Sequence, residues 1–152
     1  MLARTLSMVV LFGSGTVAGT LFAVWRAIVP TLVALPGDRY VQVHQLLDRR
    51  FDPLLPWVTR VTMATAVVFA LLPVGLTARL LCGAGLAMSV LVAVVSDTRN
   101  VPINRTISGW DPEAAPAGWD DLRARWCRAN SVRTAFALAG FGLYALAALS
   151  ID

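Results

Sequence analysis

Four apolar runs alternate with polar stretches along the chain, at residues 6–30, 54–76, 80–97 and 132–151. A helix rises about 1.5 Å per residue, so about 20 residues cross a hydrocarbon layer of roughly 30 Å. The first, second and fourth runs reach that length, and the third does so with a few flanking residues. The pattern predicts an all-α fold: an integral membrane four-helix bundle, one domain over residues 1–152. Pro73 and Gly75, in LLPVGLTAR, end the second run and turn the chain straight into the third. The other two connections, residues 31–53 and 96–131, are long. Four spans then put both long loops on one face, with both termini and the tight turn on the other. The first run exceeds the core of about 7–15 residues of a cleaved leader, so it is expected as a mature membrane helix. It contains GSGTVAGT, where Gly15 and Gly19 have the spacing that lets a second helix approach closely.

The polar loops have periodicity of their own. In RYVQVHQLLDRRFDPLLPW, residues Tyr40, Val43, His44, Leu47 and Phe51 form one stripe at helical spacing, which predicts a short helix over residues 40–51. Asp52, Pro53 and Pro56 mark the break before the second span, and Trp57 is placed at interfacial depth. The second loop opens with VPINRTISGWDPEAAPAGW, whose prolines and glycines predict no long helix. From Trp119 the pattern turns helical again, with Trp119, Arg123, Trp126, Asn130 and Arg133 on one face. Asp120 and Asp121 fall in its first turn, where the helix dipole favours acids. That helix is expected to run unbroken into the fourth span and to point its stripe at the bundle mouth.

Composition agrees with the membrane reading: 57% of residues are hydrophobic and 14% charged, with a mean hydropathy of +0.68. Every basic residue is Arg, and the net charge is +4. Interleaved acids and lipid-facing spans make headgroup contact the expected role of these charges, so no nucleic-acid partner is expected. Arg4 and Arg79 lie on the short-turn face; Arg39, Arg49, Arg50, Arg99, Arg105, Arg123, Arg125, Arg128 and Arg133 lie on the long-loop face. The positive-inside rule therefore puts the long loops in the cytoplasm, in what is expected to be a bacterial cytoplasmic membrane. Most of the acids share that face, so many of its arginines are expected to be paired. Cys82 and Cys127 are expected as free thiols, the first packed inside the bundle. A homo-oligomer is left open.

His44 is the single histidine. Asp48 lies four residues on, where its carboxylate can orient the imidazole as a general base near neutral pH. A histidine that merely satisfies the loop is the alternative. Metal binding is not the expected use, because one histidine and scattered aspartates are a thin ligand set, although His44, Asp48 and Asp52 with waters are not excluded. Arg26, near the end of the first span, either snorkels to the headgroups or points into the bundle mouth to bind substrate. Asn100, Asn104 and Asn130 gain nothing at a lipid surface, and buried amides need partners, so they predict a polar pocket under a lid. No Walker loop, dinucleotide fingerprint, nucleophile elbow or haem-attachment motif is present.

The segments GTVAGTLFAVWRAIVPTL, VHQLLDRRFDPLLPW, NVPINRTISGW and WCRANSVR carry a family resemblance over nearly the whole chain. It resembles the DUF1772 family, whose fungal members include the anthrone oxygenases of aromatic polyketide pathways. The resemblance implies a small four-helix membrane enzyme of natural-product biosynthesis. It would insert oxygen at an activated methylene, with O2 as co-substrate and no recognised flavin, haem or metal. On that reading His44 is the base, and Arg123, Arg133, Asn100, Asn104 or Asn130 stabilise the anion. Trp110, Trp119 and Trp126 would stack on a flat aromatic or polyketide-like substrate, and Tyr40 and Arg26 would complete its pocket. The other readings are a non-oxidative conversion such as cyclisation on the same scaffold, and a non-catalytic carrier or partner protein in the bilayer.

Overall fold

The computed structural model describes residues 1–51 and 54–151, so the Asp52–Pro53 break and the Asp52 alternative ligand lie outside the described residues. The described residues form α1 (Leu2–Ala23), α2 (Val29–Ala34), α3 (Gly37–Phe51), α4 (Leu54–Leu71), α5 (Leu76–Val95), α6 (Val101–Ser108) and α7 (Trp119–Leu149). Helices α1, α4, α5 and α7 pack as a closed ring, α1 and α5 each meeting both α4 and α7. Four helical stretches are long and apolar enough to cross a membrane. The fold is thus the expected all-α membrane bundle.

Two helices run past their expected ends. A π-helical turn, Val24–Ile28, joins α1 to α2, and a second, Ser96–Asn100, joins α5 to α6. Each is followed by Val-Pro, at Pro30 and Pro102. In a regular helix a proline ring collides with the carbonyl four residues earlier and leaves it without a donor. A wider turn relieves the collision: the Val29 N–H bonds to the Val24 carbonyl and the Val101 N–H to the Ser96 carbonyl, both five residues back. The expectation that the third span ends near residue 97 in a loop with no long helix before Trp119 is therefore corrected. The third helical stretch reaches Ser108, and only residues 109–118 connect it to α7, through a short 3-10 turn at Pro112–Ala114. The α7 helix runs unbroken from the loop face through the fourth span, as its pattern implies.

Small residues set the interhelical distances. Gly13 lies against the Thr62 hydroxyl of α4, and a Cβ on Gly85 would stand 2.8 Å from the Tyr144 ring of α7. The Gly15–Gly19 pair is not used as a unit. Phe141 packs 3.2 Å from a Cβ position on Gly15, whereas Gly19 has nothing within 4 Å.

Above this bundle lies a roof with its own core. Val24, Leu32, Tyr40, Val41, Ile107 and Trp126 are buried together there. Gln45 ties α3 to the end of α6, its Nε2 donating to the carbonyls of Ile107 and Trp110 at 2.9 Å each. Among the expected charge pairs, Arg39 meets Asp38 at 3.6 Å on the surface. Both cysteines are free and Cys82 is buried, as expected.

Candidate functional site

A cavity of about 250 Å³ lies where the roof meets the bundle. Its walls are mostly aliphatic, from Val17, Leu21 and Val24 to Leu47, Met63 and Val92. Set into these walls are His44, Asp48, Asn104, Trp126 and Arg133. Helix α3 supplies His44 and Asp48, one turn apart; α6 supplies Asn104; α7 supplies Trp126 and Arg133, two turns apart. The two π-turns form part of the wall through Val24, Ile28, Ser96 and Asp97.

Asn104 is the centre of the polar group. Its Nδ2 donates to Asp48 Oδ1. Its Oδ1 accepts from Trp126 Nε1 at 2.7 Å and lies 3.2 Å from His44 Nε2. The sequence-based expectation joined Asp48 directly to His44; the structure interposes the Asn104 amide, reached across 60 residues of sequence. The imidazole is buried and held edge-on by the Trp126 ring, centroids 5.1 Å apart, with Tyr40 behind it at 5.4 Å.

Arg133 lies over the same indole, 5.9 Å from its centroid. Its Nε and Nη2 donate to Asn130 Oδ1 at 3.1 and 2.9 Å, which fixes the guanidinium plane. The Nη1 edge is outside that bidentate clamp, and the side chain lines the cavity. Thr134 secures the same turn, donating to the Asn130 carbonyl at 2.7 Å and the Leu21 carbonyl at 3.3 Å.

The remaining expected residues fall elsewhere. Asn100 and Asn130 are fully buried behind the wall, Asn100 Nδ2 donating to the Trp126 carbonyl at 3.3 Å. Arg26 is exposed and stands away from the cavity, since the cavity face of this helix runs through Val17, Leu21, Val24 and Ile28 and position 26 falls on the opposite side. Arg123 also stands away from it. Its Nη1 donates to the carbonyls of Leu32, Val33 and Leu35, at 3.1 to 3.3 Å, and it stacks on Trp119 at 4.5 Å. Trp119 packs on Tyr40 at 5.5 Å, and Trp110 is half-buried in the roof core. Of the three loop tryptophans, only Trp126 reaches the described cavity wall.

Arg60, Thr59, Ser96 and Asp97 line the cavity without having been singled out in the sequence. Arg60 had a legible signal: it is a charge inside an apolar run. It stacks at 5.6 Å on Trp57, which is exposed as an interfacial side chain would be. Among the described residues no three His, Cys, Asp or Glu side chains gather as a metal site.

The profile of the anthrone oxygenase family matches residues 45–143. The chain belongs to the anthrone oxygenase family. No curated protein and no solved structure matches it. The matched stretch takes in Asp48, Asn104, Trp126 and Arg133 and begins one residue after His44. A role for His44 within this family scaffold therefore rests on the geometry of the cavity.

Proposed function

We propose that this chain is a membrane-embedded tailoring oxygenase for flat, polyketide-like aromatic substrates, in which His44 removes a proton from an activated methylene and O2 is the co-substrate. The observation that carries the reading is the cavity itself: a base and a cation, His44 and Arg133, packed on the same Trp126 indole in a chamber whose walls are mostly aliphatic. Its volume of about 250 Å³ suits a small flat ligand, just below the usual range of about 300–1,000 Å³ for ligand pockets.

An anthrone methylene is acidified by the ring carbonyl across from it. With the imidazole at the methylene, the Nη1 edge of Arg133 is the donor for the carbonyl oxygen as negative charge collects there. The resulting carbanion passes one electron to O2, and the radical pair joins as a C–O bond. The peroxide takes the proton from the imidazolium. Loss of the second C–H proton then breaks the O–O bond and releases water, leaving the new carbonyl. The net change is CH2 plus O2 to C=O plus H2O. The electrons come from the substrate, so the scheme calls on no organic cofactor. Substrate is expected from lipid or from the loop-side solution.

Oxygen uptake by the purified protein, with its metal content measured, tests the proposal on a simple anthrone. Uptake matching quinone formation is expected, and His44→Ala and His44→Gln are expected to lower kcat by roughly 10²–10⁴-fold, the usual worth of a positioned base. Full turnover in both variants removes the base role. Uptake no faster than the spontaneous reaction removes oxygenation of this substrate class and favours a non-oxidative conversion or a carrier.

A further inference from the structure

We infer that Asn104 is a positioning residue that locks the His44 imidazole in its Nε2–H tautomer, leaving the Nδ1 lone pair as the base. The inference deepens the proposal that His44 is the base and rests on it for its catalytic meaning, but the proton placement stands on hydrogen-bond geometry alone.

An indole N–H only donates, and an ionised carboxylate only accepts. Trp126 Nε1 lies 2.7 Å from one side of the Asn104 amide, and Asp48 Oδ1 meets the other. Only one orientation satisfies both: Oδ1 toward Trp126 and Nδ2 toward Asp48. The flipped amide would set an N–H against an N–H and an oxygen against a carboxylate. The assignment of an amide is ordinarily ambiguous; here partners of opposite, fixed character on the two sides decide it.

The consequence reaches the imidazole. Asn104 Oδ1 has two lone pairs, one engaged by Trp126. The second faces His44 Nε2 at 3.2 Å. An acceptor oxygen asks for a donor, so Nε2 carries the hydrogen. The neutral ring then presents Nδ1 unprotonated. Asp48 thus acts on His44 at one remove, by polarising the amide that holds the ring. The indole has a second function as well: it is both the wall on which the imidazole rests and the donor that fixes the amide.

His44 is the single histidine of the chain, so selective 15N labelling of histidine gives one ring to observe. In the full-length protein in detergent or nanodiscs at neutral pH, without substrate, two-bond 15N–1H couplings report which nitrogen is protonated. The expected result is a hydrogen on Nε2 and a bare Nδ1. A hydrogen on Nδ1, or a doubly protonated ring, overturns the inference. In Asn104→Leu the lock is gone, and a mixture of tautomers is expected, with kcat lowered by roughly tenfold or more and KM changed little. An unchanged Nε2–H tautomer in Asn104→Leu overturns the positioning role. If Asn104→Leu does not fold, Trp126→Phe provides the second test, since it removes one of the two groups that set the amide. Tautomer mixing there supports the lock, and an unchanged ring counts against it. Because the spectrum is read without turnover, failure of the tautomer and failure of the base role are separate results.

Discussion

Arg123 sends its Nη1 to the carbonyls of Leu32, Val33 and Leu35 and lies over the rings of Trp119 and Tyr40. The first helical stretch ends there, and its last carbonyls have no further turn of helix to bond to. A planar cation at a helix C-terminus satisfies them and offsets the dipole, while the aromatic faces hold it in place. Arg123→Ala leaves several carbonyls short of a donor, and the expected loss is about 1–3 kcal/mol of stability. It should be read as a lower unfolding temperature in detergent, with Arg123→Lys intermediate because a lysine keeps the charge but not the stacked fork. Unfolding of Arg123→Ala at the wild-type temperature would deny it the clamping role. This residue also shows where sequence reading stops. That Trp126, Asn130 and Arg133 share one helix face was legible from spacing, while His44 was set beside them through the family resemblance. Which of the stripe's residues face the cavity was not, because Arg123 and Arg133 are chemically alike and differ only in what lies opposite them. The Asn104 node was equally hidden, since its partners come from α3 and α7, far away in sequence.

At the scale of elements, the four spans were legible from hydropathy, but two of their ends were not. Proline normally reads as a stop: the first run was ended at residue 30, and the prolines and glycines after residue 100 were read against a long helix. The bulged turns before Pro30 and Pro102 keep the helices going and carry α2 and α6 up into the roof. Arg26 lies exposed within the first of these turns and Asn100 is buried at the end of the second. Glycine spacing misled in a related way. The eye goes to Gly15 and Gly19, yet the close approaches are at Gly13 and Gly85, whose partners Thr62 and Tyr144 are buried and hydrogen-bonded to the Val58 carbonyl and to Ser89. To make room, each partner has to give up its hydrogen bond or shift against the neighbouring helix. Gly13→Ala and Gly85→Ala are each expected to cost about 1–3 kcal/mol by overpacking. Gly19→Ala, with open space around it, is expected to be neutral or slightly stabilising through helix propensity. Thermal unfolding of the three variants in one detergent checks the contrast; equal losses in all three would place the cost in the backbone rather than in the contacts.

For the whole molecule, the level of the site follows from counting residues. Starting from the short-turn face, Val24 on α1, Ser96 after α5 and Asn130 on α7 each come out at about 30 Å along their helices, at 1.5 Å per residue. That is roughly the thickness of the hydrocarbon layer. Three helices counted independently thus bring the π-turns and the base of the polar cluster to one membrane boundary, with the roof beyond it. The arrangement explains why polar residues concentrate on one side of an apolar chain: below this level every buried amide would lack water and partners, and above it α3, α6 and the start of α7 can close over a cavity. Sidedness then follows from charge, since the roof face holds most of the arginines, and it is expected to lie in the cytoplasm. Single-cysteine labelling decides this. In a background with Cys127→Ser, where Cys82 is buried, Thr77→Cys reports the tight-turn face and Ala117→Cys the roof face, both at exposed positions. With a membrane-impermeant maleimide on intact bacterial cells stripped of their outer barrier, Thr77→Cys should react at once and Ala117→Cys only after lysis. The reverse order would put the cavity on the outside, and its substrate would then have to arrive from the extracytoplasmic leaflet.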